Sequence, residues 1–249
     1  MNLKQLYLIN NACFQANAPL QIRGIMVHST GADNPNLRRY VGPDDGALGH
    51  NPNNNHWNQP TPDGRSVCVH AFIGKLANGT IATYQTLPWD MRGWHSGGSA
   101  NNTHIGFEIC EDNLNDINYF NQAYQESLEL CAFLCQMYSL DPLDDGVVID
   151  HSEGYERGIA SNHKDVGHWF PKHGKNMNKF RNDVQNLMRK SEPEPEPPKP
   201  EQEDEIPVIQ EKKKETEDVV IDKIPVIKIE KWYIRLLNFL MKLIKKNHN

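Results

Sequence analysis

The stretch "SEPEPEPPKPEQEDE", from Ser191 to Glu205, does most to limit the folds open to this chain. Alternating proline and glutamate fixes φ, removes backbone donors and repels itself, so such a segment runs extended and cannot bury a core. A globular core in this chain of 249 residues must therefore come mainly from what precedes it. The mean hydropathy of −0.68 agrees with a chain that is only partly globular. Charge divides at the same place. Residues 1–190 carry 15 basic and 19 acidic side chains, residues 191–222 carry 4 and 12, and residues 223–249 carry 7 and 1. The organisation read from this is a domain over 1–190, a Pro/Glu-rich disordered linker over 191–205, and a C-terminal tail over 206–249.

The tail ends in "KWYIRLLNFLMKLIKK", where Arg235, Asn238, Lys242 and Lys245 share one stripe of a helix expected at about 230–246. Trp232, Leu236, Phe239, Leu240 and Leu243 occupy the rest. A basic amphipathic helix of this kind suits an anionic membrane surface or wall polymer; self-association or docking against the first domain is the plainer alternative. The overall charge of −6 argues against a nucleic-acid binder, because neutralising phosphates needs a cationic surface. Five scattered cysteines make no disulfide framework. Cys131 and Cys135 stand at helical spacing with Tyr124, Leu128 and Tyr138, which reads as core packing.

Residues 1–190 alternate strand and helix signals. "IRGIMVHS", "SVCVHAFIG", "IATYQTL", "HIGFEIC" and "GVVID" read as strands, with Asn78-Gly79 as a hairpin turn between the second and third. Helices are expected around Gln122 to Tyr138 and through "MNKFRNDVQNLMRK". The fold class is α/β, a central mixed sheet flanked by helices.

Histidine crowds into "VVIDHSEGYERGIASNHKDVGHWFPKHGK", which holds four. His28, Glu108 and His151 fall at or just after strand ends, which a sheet can bring together across any sequence distance. A catalytic zinc takes three protein ligands from His, Asp, Glu or Cys. His28, His151 and an acidic or imidazole group of "NHKDV" would supply them, with Glu108 as base. Taken alone, each His at a strand end reads more readily as a packed structural histidine and Glu108 as a partner for a core Arg or Lys, and no compact zinc motif is present.

"RGIMVHSTGADNPNLRRYV", "VHAFIGKLANGTIATYQTL", "GWHSGG", "THIGFEI" and "DHSEGYERGIASNHKDVGHWF" occur in the order and spacing of the zinc-dependent N-acetylmuramoyl-L-alanine amidases of the type 2 family. That family includes phage endolysins and autolysins and shares its fold with the peptidoglycan recognition proteins. The resemblance runs from about Leu3 to Arg189. It implies one catalytic Zn2+ held by His28, His151 and Asp165, with His163 a rival for the third place. It also implies Glu108 as general base, and His163 as oxyanion stabiliser where relatives carry Lys. The implied reaction is hydrolysis of the amide joining N-acetylmuramic acid to L-alanine in bacterial peptidoglycan. Trp94 and His95 are expected to line the substrate groove. His70, His168 and His173 read as structural or surface residues.

The chain departs from the family pattern at Val69, where relatives have Tyr, and at Val166-Gly167, where Pro-Gly commonly follows the ligand Asp. The loop between His151 and Asp165 is also longer than in many relatives. A non-catalytic recognition module with the same groove is the competing reading. "MNLKQLYLINNACF" does not read as a signal peptide, so synthesis in the bacterial cytoplasm and release to the cell wall through a holin-opened membrane are expected.

Overall fold

The computed structural model describes residues 1–191. The linker beyond Ser191 and the amphipathic helix expected at about 230–246 lie outside the described residues. Six strands form one sheet in the spatial order β1-β4-β3-β5-β2-β6. They are β1 (Leu3–Gln5), β2 (Gly24–Ser29), β3 (Ala71–Lys75), β4 (Ile81–Gln85), β5 (His104–Ile109) and β6 (Val148–Asp150). Asn78-Gly79 turns the chain as its sequence requires. Gly79 sits at φ +85, and the Asn78 carboxamide oxygen accepts the Thr80 N–H at 3.0 Å. β3 and β4 accordingly pair antiparallel, while the remaining ladders are parallel. The sheet is therefore mixed.

Strand periodicity sorts side chains between two faces. Ile25 and Val27 of β2, Ala71 and Ile73 of β3, Ile105, Phe107 and Ile109 of β5, and Val148 of β6 join one apolar cluster. Helices cover that face: α2 (Ile117–Tyr138), α4 (Val166–Trp169) and α5 (Met177–Ser191) contribute Phe120, Leu130, Trp169 and Phe180 among others. Cys131 and Cys135 are fully buried there as free thiols, as their spacing predicts. The opposite face takes Phe72 and Tyr84 into a second cluster under loops and α1 (Ala12–Ala16). It also carries the polar alternates His28 and Glu108. All six residues of β2 are buried, as expected of a strand covered on both faces.

Two strands differ from the sequence reading, and the short helices at Ala12–Ala16, His151–Glu156 and Val166–Trp169 were not expected. The "SVCVHAFIG" strand begins only at Ala71, because Cys68 is drawn into a bridge with Trp94. Cys68 exchanges both backbone hydrogen bonds with Trp94, and the buried His70 ring accepts the Gly106 N–H through Nδ1 at 3.0 Å. β1 was not expected. It is a three-residue edge strand with a half-exposed pattern, too short to show a period.

The longest helix has a clean start. The Asp116 carboxylate accepts the Asn118 and Tyr119 N–H groups, both at 3.0 Å, satisfying donors that the first turn leaves open. Asp116→Ala is expected to cost about 1 kcal/mol in urea unfolding, and Asp116→Asn only a fraction of that. Equal stability of all three proteins would show that α2 is held by packing alone.

Candidate metal centre

Register assembles the site. β2 and β5 pair in parallel with His28 level with Glu108. β2 and β6 pair with Val27 level with Asp150, so His151 follows level with His28 one strand further on. The three side chains thus sit at the carboxyl ends of adjacent parallel strands, where open α/β sheets place their ligand sites. His151 opens α3 (His151–Glu156). Asp150 caps that helix by accepting the Glu153 N–H at 2.8 Å, and Glu153 reaches back to the Asp150 N–H. Arg181 of α5 then grips Glu153 through both guanidinium nitrogens, at 2.8 and 3.1 Å. The start of α3, and with it His151, is tied to the helix layer.

Asp165 comes from the turn before α4. Its φ of 32 lies in the left-handed region that non-glycine residues seldom adopt, and it delivers the carboxylate to the strand ends. Asp165 Oδ2 lies 2.7 Å from His28 Nδ1 and 2.9 Å from His151 Nδ1, and the two nitrogens are 3.1 Å apart. Protons hold this triangle only in crowded arrangements. With one Nδ1 protonated, the other presents its lone pair to the carboxylate; with both protonated, two N–H groups crowd onto one carboxylate oxygen. A cation at the centre satisfies all three atoms at once, and two imidazoles with one carboxylate form a donor set suited to zinc. Among the described residues, His28, His151 and Asp165 form a group able to hold a metal ion.

The electrostatics reinforce the trio. Burial alone would raise the Asp165 carboxyl, but its close contacts with the His151 and His28 rings outweigh it and hold it well below the usual carboxylate range. Burial lowers His28, against the pull of Asp165, so its ring favours the neutral state that a metal needs. Burial pushes Glu108 well above its ordinary range, with the Asp165 and Glu111 charges adding to it. Its Oε2 is buried without a hydrogen-bond partner. An orphaned carboxylate oxygen is costly, and this one borders a cleft of about 620 Å³ shared with His28, His151 and Asp165.

The other sequence-predicted residues divide. His163 lines the cleft; its Nδ1 lies 3.0 Å from Ser161 Oγ and its ring 4.7 Å from that of His151. Trp94 borders the cleft while its backbone pairs with Cys68. His95 also borders the cleft, but its ring nitrogens meet His28 Nε2 at 2.9 Å and the His104 carbonyl at 3.1 Å. His70 is a packed histidine, its Nε2 donating to the Met91 carbonyl at 2.7 Å, and burial pushes it down to about 4. His168 meets Glu111 at 3.0 Å, and His173 stacks on Phe120. Trp57, Arg65 and Arg92 complete the cleft. Nothing local in the sequence marks those three, because the loops that carry them meet only in the fold.

Residues 18–168 match the family model described as N-acetylmuramoyl-L-alanine amidase. Among solved structures, the Staphylococcus aureus hydrolase AmiA, determined with its ligand, is similar at a TM-score of 0.52 and 19% identity, over 75% of this chain and 82% of that one. A mutant of PlyL aligns at 0.53 and 17%, over 74% and 99%. The catalytic domain of PlyG aligns at 0.52 and 16%, over 78% and 100%. No curated protein matched the sequence. The structural likenesses establish the fold, and the matched segment spans the metal trio, Glu108 and most of the cleft. The chain belongs to the N-acetylmuramoyl-L-alanine amidase family.

Proposed function

We propose that the protein is a zinc-dependent peptidoglycan hydrolase that cleaves the amide between the lactyl group of N-acetylmuramic acid and L-alanine. The observation that carries this reading is the convergence of His28 Nδ1, His151 Nδ1 and Asp165 Oδ2 beside the unpartnered Glu108 carboxylate. His28, His151 and Asp165 are the groups that would hold the zinc. When bound, zinc polarises the scissile carbonyl and brings the pKa of water down to about 7.

The remaining work falls to the chain. Glu108 Oε2, buried and free of protein donors, takes the proton from the attacking water and returns it to the departing amine. Burial makes this carboxylate a stronger base than an exposed one. His163 borders the cleft with its Nδ1 held by Ser161, and in the imidazolium form its Nε2–H can donate to the oxygen on which charge develops. Trp94 and Trp57 form walls on which sugar or peptide can pack, and Arg65 and Arg92 place positive charge along the same cleft. A recognition module without catalysis would have no use for an ionisable group kept unpartnered beside a metal trio.

The role we assign is that of a phage-type endolysin acting at the bacterial cell wall; an autolysin would use the same chemistry. Among the described residues no helix is long and apolar enough to cross a membrane. Release from the cytoplasm by a holin, and attachment of the basic C-terminal segment to an anionic membrane surface or wall polymer, are parts of the same proposal.

Purified protein is expected to clear a cell-wall suspension, to stop on chelation and to resume with added zinc. Glu108→Gln should keep zinc yet lower kcat by about 100- to 10,000-fold, whereas His28→Ala should lose both metal and activity. Clearing by His28→Ala at the parent rate would remove the metal assignment. Deleting Pro207 to Asn249 should weaken sedimentation with host walls at low salt, an effect that added salt erases in the parent. Unchanged binding by the truncated protein would remove the targeting role of the tail.

A further inference from the structure

We infer that His95 and Ser161 are positioning residues that select the metal-binding tautomer of the two ligand histidines, both of them oriented by one short loop. The inference rests on the reading of His28, His151 and Asp165 as zinc ligands. A neutral imidazole carries its proton on one nitrogen and its lone pair on the other. His28 and His151 both turn Nδ1 toward the centre, so each must keep its proton on Nε2. Asp165 works against this. Lying 2.7 and 2.9 Å from the two Nδ1 atoms, its oxygen favours a proton on the very nitrogens that must stay bare.

The opposing pull comes from behind each ring. His95 Nε2 lies 3.1 Å from the His104 carbonyl oxygen. A carbonyl can only accept, so the His95 proton sits on Nε2 and its Nδ1 carries the lone pair. That lone pair faces His28 Nε2 at 2.9 Å and accepts its N–H. His28 Nδ1 is left free for metal. The second relay is similar. The Ser161 hydroxyl donates to the Ser96 carbonyl at 3.1 Å, which leaves its lone pairs for His151 Nε2 at 3.2 Å and His163 Nδ1 at 3.0 Å. Each relay ends on a backbone carbonyl, which cannot exchange donor and acceptor roles. This is how outer partners commonly fix the tautomer of a ligand histidine.

Both relays depend on the same stretch of chain, since Ser96 follows His95. One buried side chain pins it. Asn101 Oδ1 accepts the His95 N–H at 2.9 Å, the Ser96 N–H at 2.8 Å and the Ser96 hydroxyl at 3.0 Å. The His95 ring also has a seat cut for it. A Cβ on Gly106 would fall 2.5 Å from His95 Cγ, and one on Gly93 would fall 2.9 Å from its Cδ2. His95, a groove residue by sequence, is thereby assigned to act through His28.

The test uses the full chain and its His95→Leu, His95→Asn and Ser161→Ala variants. Zinc affinity is measured by competition with a chromophoric chelator, and ring tautomers are read from 15N NMR of the metal-free proteins. His95→Leu and Ser161→Ala should each bind zinc about 10- to 100-fold more weakly. His95→Asn keeps an acceptor where Nδ1 stood and should stay close to the parent. Metal-free parent should show His28 and His151 protonated at Nε2, with His28 moving to the Nδ1-protonated form in His95→Leu. The inference is overturned if His95→Leu and Ser161→Ala match the parent, or if His95→Asn falls as far as His95→Leu, since shape rather than an acceptor would then matter. A parent that binds no zinc would instead sink the ligand assignment, and the metal-free tautomers would still decide the relay.

Discussion

Three electron-rich atoms brought to within 3.1 Å of one another, a grouping that protons hold only in crowded arrangements and that one cation would hold in full, are the constraint on which the rest of the site depends. Folding drives His28 and His151 together because they stand level on adjacent parallel strands with apolar neighbours on the reverse face. Asp165 arrives on an uncommon backbone conformation at the head of α4. In water such a cluster would spread apart. Here burial and the sheet hold it, and a cation at its centre would relieve the crowding.

The surroundings are arranged around that demand. Glu108 stays unpartnered although burial makes this costly, which fits a group whose partner is substrate or solvent in the cleft. The helix layer contributes at a distance. Arg181 clamps Glu153, Glu153 and Asp150 close the start of α3, and α3 presents His151. On the other side, loop residues pinned by Asn101 back both imidazoles. Rigid strands and helix ends supply the ligands, and the cleft walls come from loops. A polymeric substrate suits this open groove, with chemistry kept at its rigid floor.

Much of this was legible in the chain. The β-branched runs around Ile25, Phe107 and Val148 announce strands, and His28, Glu108 and His151 end or follow them, so register alone brings them level. The third candidate ligand was less clear. Residue types left Asp165 and His163 as rivals, and it took the backbone turn at Asp165 to place its oxygen against both imidazoles while His163 faces Ser161. The role of His95 was not legible, because its partners are a strand carbonyl and a ring brought near by sheet pairing. Ser161 and Asn101 gave no sign, since a single hydroxyl or carboxamide in a polar loop has no period or motif to betray it. The early start read for β3 failed for a related reason: Val67 to His70 are apolar enough for a strand, but Cys68 pairs with Trp94 instead.

The most direct measurement is X-ray absorption at the zinc edge on the full chain loaded with one equivalent of metal, compared with the Asp165→Asn variant. The account predicts a first coordination sphere of nitrogen and oxygen only, with two imidazole contributions in the parent and a weakened or lost site in the variant. Sulfur ligation, a single imidazole, or a spectrum unchanged by Asp165→Asn would contradict it.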